Sequence, residues 1–307
     1  MTRFLGDHVS IFAGYGFDEK GSPYLAINDI DGARRMRYSV LGKTFSLRRL
    51  PRRRCVGRFD LVTGEAQVCP MALELPSDTK DDMCPACQEA TGFNPSFYHA
   101  DFVSPQQRAY NLTPHYVYLA YFSPAHLKAG ISAEVRGIRR LLDQGARAAR
   151  VVGRFPDAYE ARDLEAALCA QQGVSETMRQ GKKVELLANE RYDFAEAGDV
   201  LDAAVARLAA VEIVPRTGFD AAEPALDLSP YYFVGPSPAC DDLQIPNGDS
   251  NVCGGRCMGM VGGTLVFEQG GMNFLVSLKD WQSHEIDLLE DEVVCAYDFA
   301  PQQMSLL

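Results

Sequence analysis

The sequence predicts an α+β protein in several parts. These are an N-terminal strand segment (1–54), a zinc-ribbon-like module (55–112), an α/β domain of ββαβα order (113–212) and a small β-rich C-terminal domain (213–307). Three observations predict it. Four cysteines crowd a stretch with little periodicity. A β-branched and aromatic run leads into alternating strand and helix patterns. A last, strand-rich region is punctuated by glycines. The 307 residues suit about two domains, or three small ones. With 47% hydrophobic and 23% charged residues the chain falls among globular proteins, which excludes disorder and fibrous repeats.

The N-terminal segment reads as short strands. Asp18 to Pro23 is a turn cluster, and Tyr38–Leu41 and Thr44–Leu47 are strands around Gly42-Lys43. Residues 55–112 hold Pro70, Pro76, Pro85, Pro95 and Pro105 and few apolar residues, so burial alone does not hold them together. Cys55, Cys69, Cys84 and Cys87 supply the alternative. Four thiolates match tetrahedral Zn²⁺, and Cys84-Pro85-Ala86-Cys87 presents two sulfurs on one side of a metal. A redox pair would open a helix in a βαβ unit, whereas these surroundings read as loop. His99 is a substitute ligand. A second group, Cys240, Cys253, Cys257 and Cys295, has a less typical spacing and reads as buried thiols or a second metal site, and Cys169 as packed.

The run His115–Phe122 is a buried strand, Ser123–His126 a turn, and Leu127–Ser132 its hairpin partner. A helix follows from Ser132 or Glu134 to about Gln144, with Gly145 at its C-terminal cap. Val151 and Val152 mark a third strand. Asp157 caps a helix over about 158–171, and further helices cover about 175–189 and 199–210. Beyond them, Met258–Glu268 and Met272–Leu278 read as a hairpin in a small barrel or curled sheet.

The net charge of −11 argues against a generic polyanion binder, but the charges are uneven. Residues 33–54 hold nine basic residues and no acid; residues 219–307 hold 14 acids and two basic residues. The basic strip either tracks phosphates, forms a solvated surface, or pairs with the acidic C-terminal part. No stretch approaches the roughly 18 apolar residues of a membrane helix. No leader is legible either, so the sequence predicts a cytoplasmic chain with no membrane partner. The oligomeric state stays open. Walker A, dinucleotide-fold and GxSxG motifs are absent, which disfavours nucleotide-driven work, NAD chemistry and α/β-hydrolase chemistry.

Val117-Tyr118-Leu119, Lys128-Ala129-Gly130, Arg140 and Glu165 together resemble a GIY-YIG-type nuclease domain, with Lys128 in place of the second motif's first tyrosine. More closely, residues 38–290 resemble an uncharacterised bacterial family of unknown function. It has a cysteine-rich segment followed by the motifs that read here His115-Tyr116-Val117-Tyr118-Leu119-Ala120, Lys128-Ala129-Gly130-Ile131-Ser132 and Arg140-Leu141-Leu142-Asp143-Gln144-Gly145-Ala146. Gly259 to Phe267 resembles that family's tail. The nuclease resemblance implies phosphodiester hydrolysis of DNA or RNA with Mg²⁺ or Mn²⁺. It implies Tyr118 as base or water-positioning group, with Lys128 beside it or on the phosphate. Arg140 would clamp the phosphate, Glu165 bind the divalent ion, and His115 carry a proton. Gly130, Ser132, Arg136 and Gln144 would contact substrate, Gly130 by allowing close approach. The plainer readings are a core Tyr118, an Arg140–Glu165 pair and a solvated arginine face, with Glu160 a rival to Glu165. Two further functional readings stand: a nucleic-acid-binding or regulatory module that does not cut, and an enzyme using the same pocket on a small molecule or an aminoacyl-tRNA.

Overall fold

The computed structural model describes residues 2–94, 102–209, 218, 223–246 and 251–294. Apart from two-residue strands, the first half contributes β1 (Ser10–Phe17), β2 (Pro23–Asp29), β3 (Arg34–Ser39), β4 (Thr44–Arg54), α1 (Pro85–Thr91) and α2 (Pro105–Asn111). The middle holds β5 (His115–Ser123), β6 (His126–Ala133), α3 (Arg139–Gln144), β7 (Ala148–Phe155), α4 (Ala158–Cys169), α5 (Gln180–Asn189) and α6 (Phe194–Ala209). The last part holds β8 (Val252–Val261), β9 (Thr264–Gln269), β10 (Met272–Ser277) and β11 (His284–Glu290).

The strands expected as an N-terminal segment and those expected as a C-terminal domain lie in one sheet of 11 strands: nine run Leu243–Gln244, β10, β9, β8, β4, β11, β1, β2, β3, and two short ones, Thr2–Arg3 and Glu74–Leu75, pair with β11 and β4. β4 is the joint: Phe45 pairs with Gly255 on one side and with Glu290 on the other. Among the described residues the hydrogen-bonded order has two ends, so of the expected barrel or curled sheet the barrel is not formed, and the C-terminal strands complete their ladder with N-terminal ones. Met258–Glu268 is not one strand: Gly262 and Gly263 turn the chain between β8 and β9.

The second sheet runs Val174–Ser175, β6, β5, β7, Leu226–Asp227. Every residue of β5 is buried, as its unbroken apolar run requires of a central strand covered on both faces. Val117, Leu119 and Tyr121 pack against α4 and α6 through Leu164, Leu168 and Leu201. Tyr116, Tyr118, Ala120 and Phe122 face the other way, into a core shared with Phe12, Leu25 and Phe267 of the large sheet and with Leu141, Leu142 and Leu187 of α3 and α5. The helix expected from residue 134 breaks into a 3-10 turn, Glu134–Arg136, and α3, because Gly137 takes φ +47° between them. α3 ends at Gly145 with φ +69°, in the left-handed cap conformation that glycine adopts without strain. Asp157 caps α4 by accepting from the Tyr159 and Glu160 amides.

The basic strip pairs inward. Arg54 and Arg52 both meet Glu285 of the acidic C-terminal part, Arg53 meets Asp82, and Arg34 meets the buried Asp29. Arg35 reaches Asn28 and the Val56 carbonyl. The expected pairing with the acidic C-terminal part is met at Arg52 and Arg54, while Arg34 and Arg53 meet acids of the first third of the chain.

Candidate functional site

Two side-chain clusters stand out. The first is the set of cysteines. Cys55 follows β4, Cys69 lies beyond the small hairpin Arg58–Phe59/Ala66–Gln67, Cys84 caps α1, and Cys87 sits in its first turn. All four are buried, and their sulfurs lie within 4.8 Å of one another. The amides of Cys84 and Gly57 donate to the Cys55 sulfur at 3.1 and 3.3 Å. Gly57, at φ +95°, is required there, because a Cβ would meet the Gln67 carbonyl at 1.9 Å. Burial pushes the Cys55 thiol up to about 11; at Cys69 burial acts the same way but the Leu73 and Met71 amides outweigh it and hold the thiol low. Among the described residues, Leu75 and Met83 are the apolar side chains that pack with the sulfurs, so little apolar burial supports this module. Unlike the expected loop, Cys84-Pro85-Ala86-Cys87 does open a helix, but one that lies outside any βαβ unit. His99 and Cys295 lie outside the described residues. Among the described residues Cys240, Cys253 and Cys257 belong to no metal-sized cluster.

The second cluster lies where the inner face of the small sheet meets α3 and α5. Gly130 of β6 pairs in register with Tyr118 of β5, Ser132 with Tyr116, and Lys128 with Ala120, so all share the inner face by strand alternation. The Tyr118 ring fills the space over Gly130: a Cβ there would meet its hydroxyl at 2.5 Å. Gly130 therefore admits the tyrosine, where the sequence reading assigns it to substrate approach. Tyr118 is fully buried, and neither its hydroxyl nor the buried Arg140 Nε has a hydrogen-bond partner among the described residues. Lys128, 8% exposed, places Nζ 5.9 Å from the centre of the Tyr118 ring.

Lys183 of α5 completes the cluster. Its Nζ lies 5.4 Å from the centre of the Phe122 ring and donates to the Gln144 carbonyl at 2.7 Å. Burial, with Lys128 and Arg140 nearby, lowers its amine to about 8. The carboxylate near these cations is Asp143, which Arg136 holds at 2.7 Å; burial nonetheless raises the Asp143 carboxyl above its ordinary range. No ion pair among the described residues joins Lys128, Arg140 or Lys183 to a carboxylate within 4.0 Å. Ser132 is buried beside Tyr116, whose hydroxyl donates to the Gly137 carbonyl at 2.7 Å.

Two expected catalytic residues stand apart. Glu165 is on α4, the helix covering the opposite face of the sheet, and pairs with Arg162, not with Arg140. His115 begins β5; its Nδ1 is 2.7 Å from the Thr113 carbonyl, its Nε2 is buried without a partner among the described residues, and burial lowers its basicity. Lys183 is the residue that sequence reasoning misses. The signal is present: Lys183 shares the inward stripe of α5 with Val184 and Leu187, an unusual place for a lysine.

The fold and these clusters define a mixed α+β protein that carries a tetracysteine module and a cationic seam between two sheets. The chain belongs to the family described as protein of unknown function (DUF2797), whose model matches residues 94–286. The match begins downstream of the four cysteines and spans the whole cationic cluster. Comparison with curated proteins gives no match, and comparison with solved structures gives none. No helix among the described residues is long and apolar enough to cross a membrane.

Proposed function

We propose that the seam binds a phosphate-bearing ligand, a nucleotide or nucleic acid, and that the tetracysteine module holds a structural zinc ion. The convergence of Lys128, Arg140 and Lys183 on one face, with no carboxylate paired to them among the described residues, carries the first part. Buried positive charge is costly unless an anion answers it, and a phosphate offers several strong acceptors at once. Arg140 supplies the planar fork suited to two phosphate oxygens, and the lysines supply point charges. The buried Tyr118 hydroxyl lies beside Arg140 at the same face.

Four sulfurs within 4.8 Å, two amides donating to one of them and a sparse apolar core fit a closed Zn²⁺ site. Zinc bound to Cys55, Cys69, Cys84 and Cys87 would supply folding energy and no reaction step.

Divalent-metal cleavage is the second reading. The Tyr118–Gly130 register, with Arg140 beside it, favours this reading through the nuclease resemblance. The position of Glu165, across the sheet and paired with Arg162, weakens it, because a Mg²⁺ or Mn²⁺ ion needs oxygen ligands at the reacting phosphate. The test is binding and cleavage of labelled duplex and single-stranded DNA, structured RNA and tRNA with Mg²⁺, with Mn²⁺ and with EDTA. Binding that survives EDTA, is lost in Arg140→Ala and yields no products supports phosphate recognition. Metal-dependent products that vanish in both Arg140→Ala and Glu165→Gln would instead establish the nuclease.

A further inference from the structure

The seam is closed on one side by packed backbone. Gly145, at the end of α3, lies against Gly262 in the β8–β9 turn, where a Cβ on Gly262 would meet the Gly145 nitrogen at 2.9 Å. Next to it, the Tyr15 ring of β1 lies over Gly263, within 2.7 Å of where a Cβ would stand. At the start of α5, Gln180 donates to the Thr264 hydroxyl at 2.9 Å. Behind the cations, Tyr118 and Ser132 are buried, while Arg140 and Lys183 are partly exposed and form the approach.

Among the described residues, the groups around the seam are Tyr116 and Tyr118 of β5, Lys128 and Ser132 of β6, Arg136 before α3, Arg139, Arg140 and Asp143 of α3, Lys183 of α5, Tyr15 of β1 and Tyr110 of α2. Arg139 turns outward to the Val135 and Arg136 carbonyls. Asp143 pairs with Arg136 and also acts on Arg140, so among the described residues this one carboxylate stands against Arg136, Lys128, Arg140 and Lys183, an excess of three positive charges. An internal phosphodiester brings one negative charge and a chain leaving on both sides. A phosphomonoester brings about −1.5 to −2 charges near neutral pH and a single attachment.

We infer that the phosphate accepted by the seam is a terminal phosphomonoester carried by a nucleotide, and not the internal diester of a chain. The inference rests on the phosphate-binding reading above. Lys183 is the residue that sets this preference, since it adds the third positive charge.

The test is calorimetric titration of the full chain, folded and metal-loaded, with inorganic phosphate, a nucleoside 5′-monophosphate, and one dinucleotide with and without a 5′-phosphate. The 5′-phosphorylated dinucleotide is expected to bind at least tenfold more tightly than its unphosphorylated form, and Lys183→Gln to erase most of that ratio. A monophosphate that matches the phosphorylated dinucleotide places recognition in the terminal phosphate and its first nucleoside; a much weaker monophosphate extends it to the strand end. Equal binding of the two dinucleotides overturns the monoester inference and leaves phosphate binding standing. No binding of any probe by folded protein overturns both. A tenfold preference that persists unchanged in Lys183→Gln and in Lys128→Gln overturns the assignment to this seam.

Discussion

Gly130→Ala tests the inner face of the small sheet most directly. The added methyl would stand 2.5 Å from the Tyr118 hydroxyl and 2.6 Å from its ring carbon Cζ. Non-bonded carbons prefer about 3.5–4.0 Å, so a gap of roughly 1 Å has to open. Tyr118 is fully buried and shares its core with Leu141, Leu142 and Phe267, and β6 is held to β5 along its length, so neither partner moves freely. Overpacking of this kind costs about 1–3 kcal/mol. At roughly 2–4 °C per kcal/mol for a chain of this order, Tm should fall by about 3–10 °C. Thermal unfolding followed by circular dichroism reads it. The second arm is the same change in a Tyr118→Leu background, where the clash is gone. The double-mutant cycle should return a coupling of at least about 1 kcal/mol. An unchanged Tm in Gly130→Ala, or the same loss in both backgrounds, would refute the packing argument.

Four further outcomes are expected. Cys87→Ser should lower the metal content measured by elemental analysis to a small fraction of one ion per chain and expose the 55–87 segment to protease, while the core around Phe12 and Phe267 persists. Phosphate affinity should fall as pH rises through about 8, since Lys183 then loses its charge, and Lys183→Met should flatten that slope. At Asp29, desolvation raises the carboxyl, but the Gly32 amide, Arg34 and His8 outweigh it and hold it below its ordinary value. The folded chain therefore binds fewer protons there than the unfolded one, so this stability is present above about pH 4 and is lost on acidification; Asp29→Asn should flatten urea-unfolding stability across that window. Glu285→Gln, which removes the shared partner of Arg52 and Arg54, should cost about 1–2 kcal/mol by the same assay, and no loss would mean that the strip is held by its backbone ladders alone.

The elements with a strong local signature were legible in the sequence. The β5–β6 hairpin, the Asp157 cap, the Gly145 cap and the cysteine cluster each depend on a few neighbouring residues, and each stands where its residues predict. What was not legible depends on distant pairing. Nothing in Thr44–Arg54 announces that it will lie between β8 and β11, since any β-rich run can donate to any other. The candidate site divides in the same way. Tyr118, Gly130, Lys128 and Arg140 meet because a hairpin and the next helix bring them together, whereas Glu165 was placed by its position along α4, which says nothing about which face of the sheet that helix covers. Lys183 joins from 43 residues beyond Arg140 through helix packing alone.

The place of β4 in the large sheet has a consequence for how the chain is made. Its two long neighbours, β8 and β11, are synthesised some 200 residues later, so during translation β4 presents mostly unsatisfied edges, with only Arg53 and Arg54 able to pair early, with Leu75 and Glu74. β5 to β7, with α3, can pair as soon as they emerge. β1 to β3 pair locally, but β4 must wait for β8 and β11, long-range contacts that slow folding and prolong exposure of an arginine-rich strand. Those arginines then act as gatekeepers: their mutual repulsion discourages β4 strands of different nascent chains from pairing until Glu285 arrives to neutralise them.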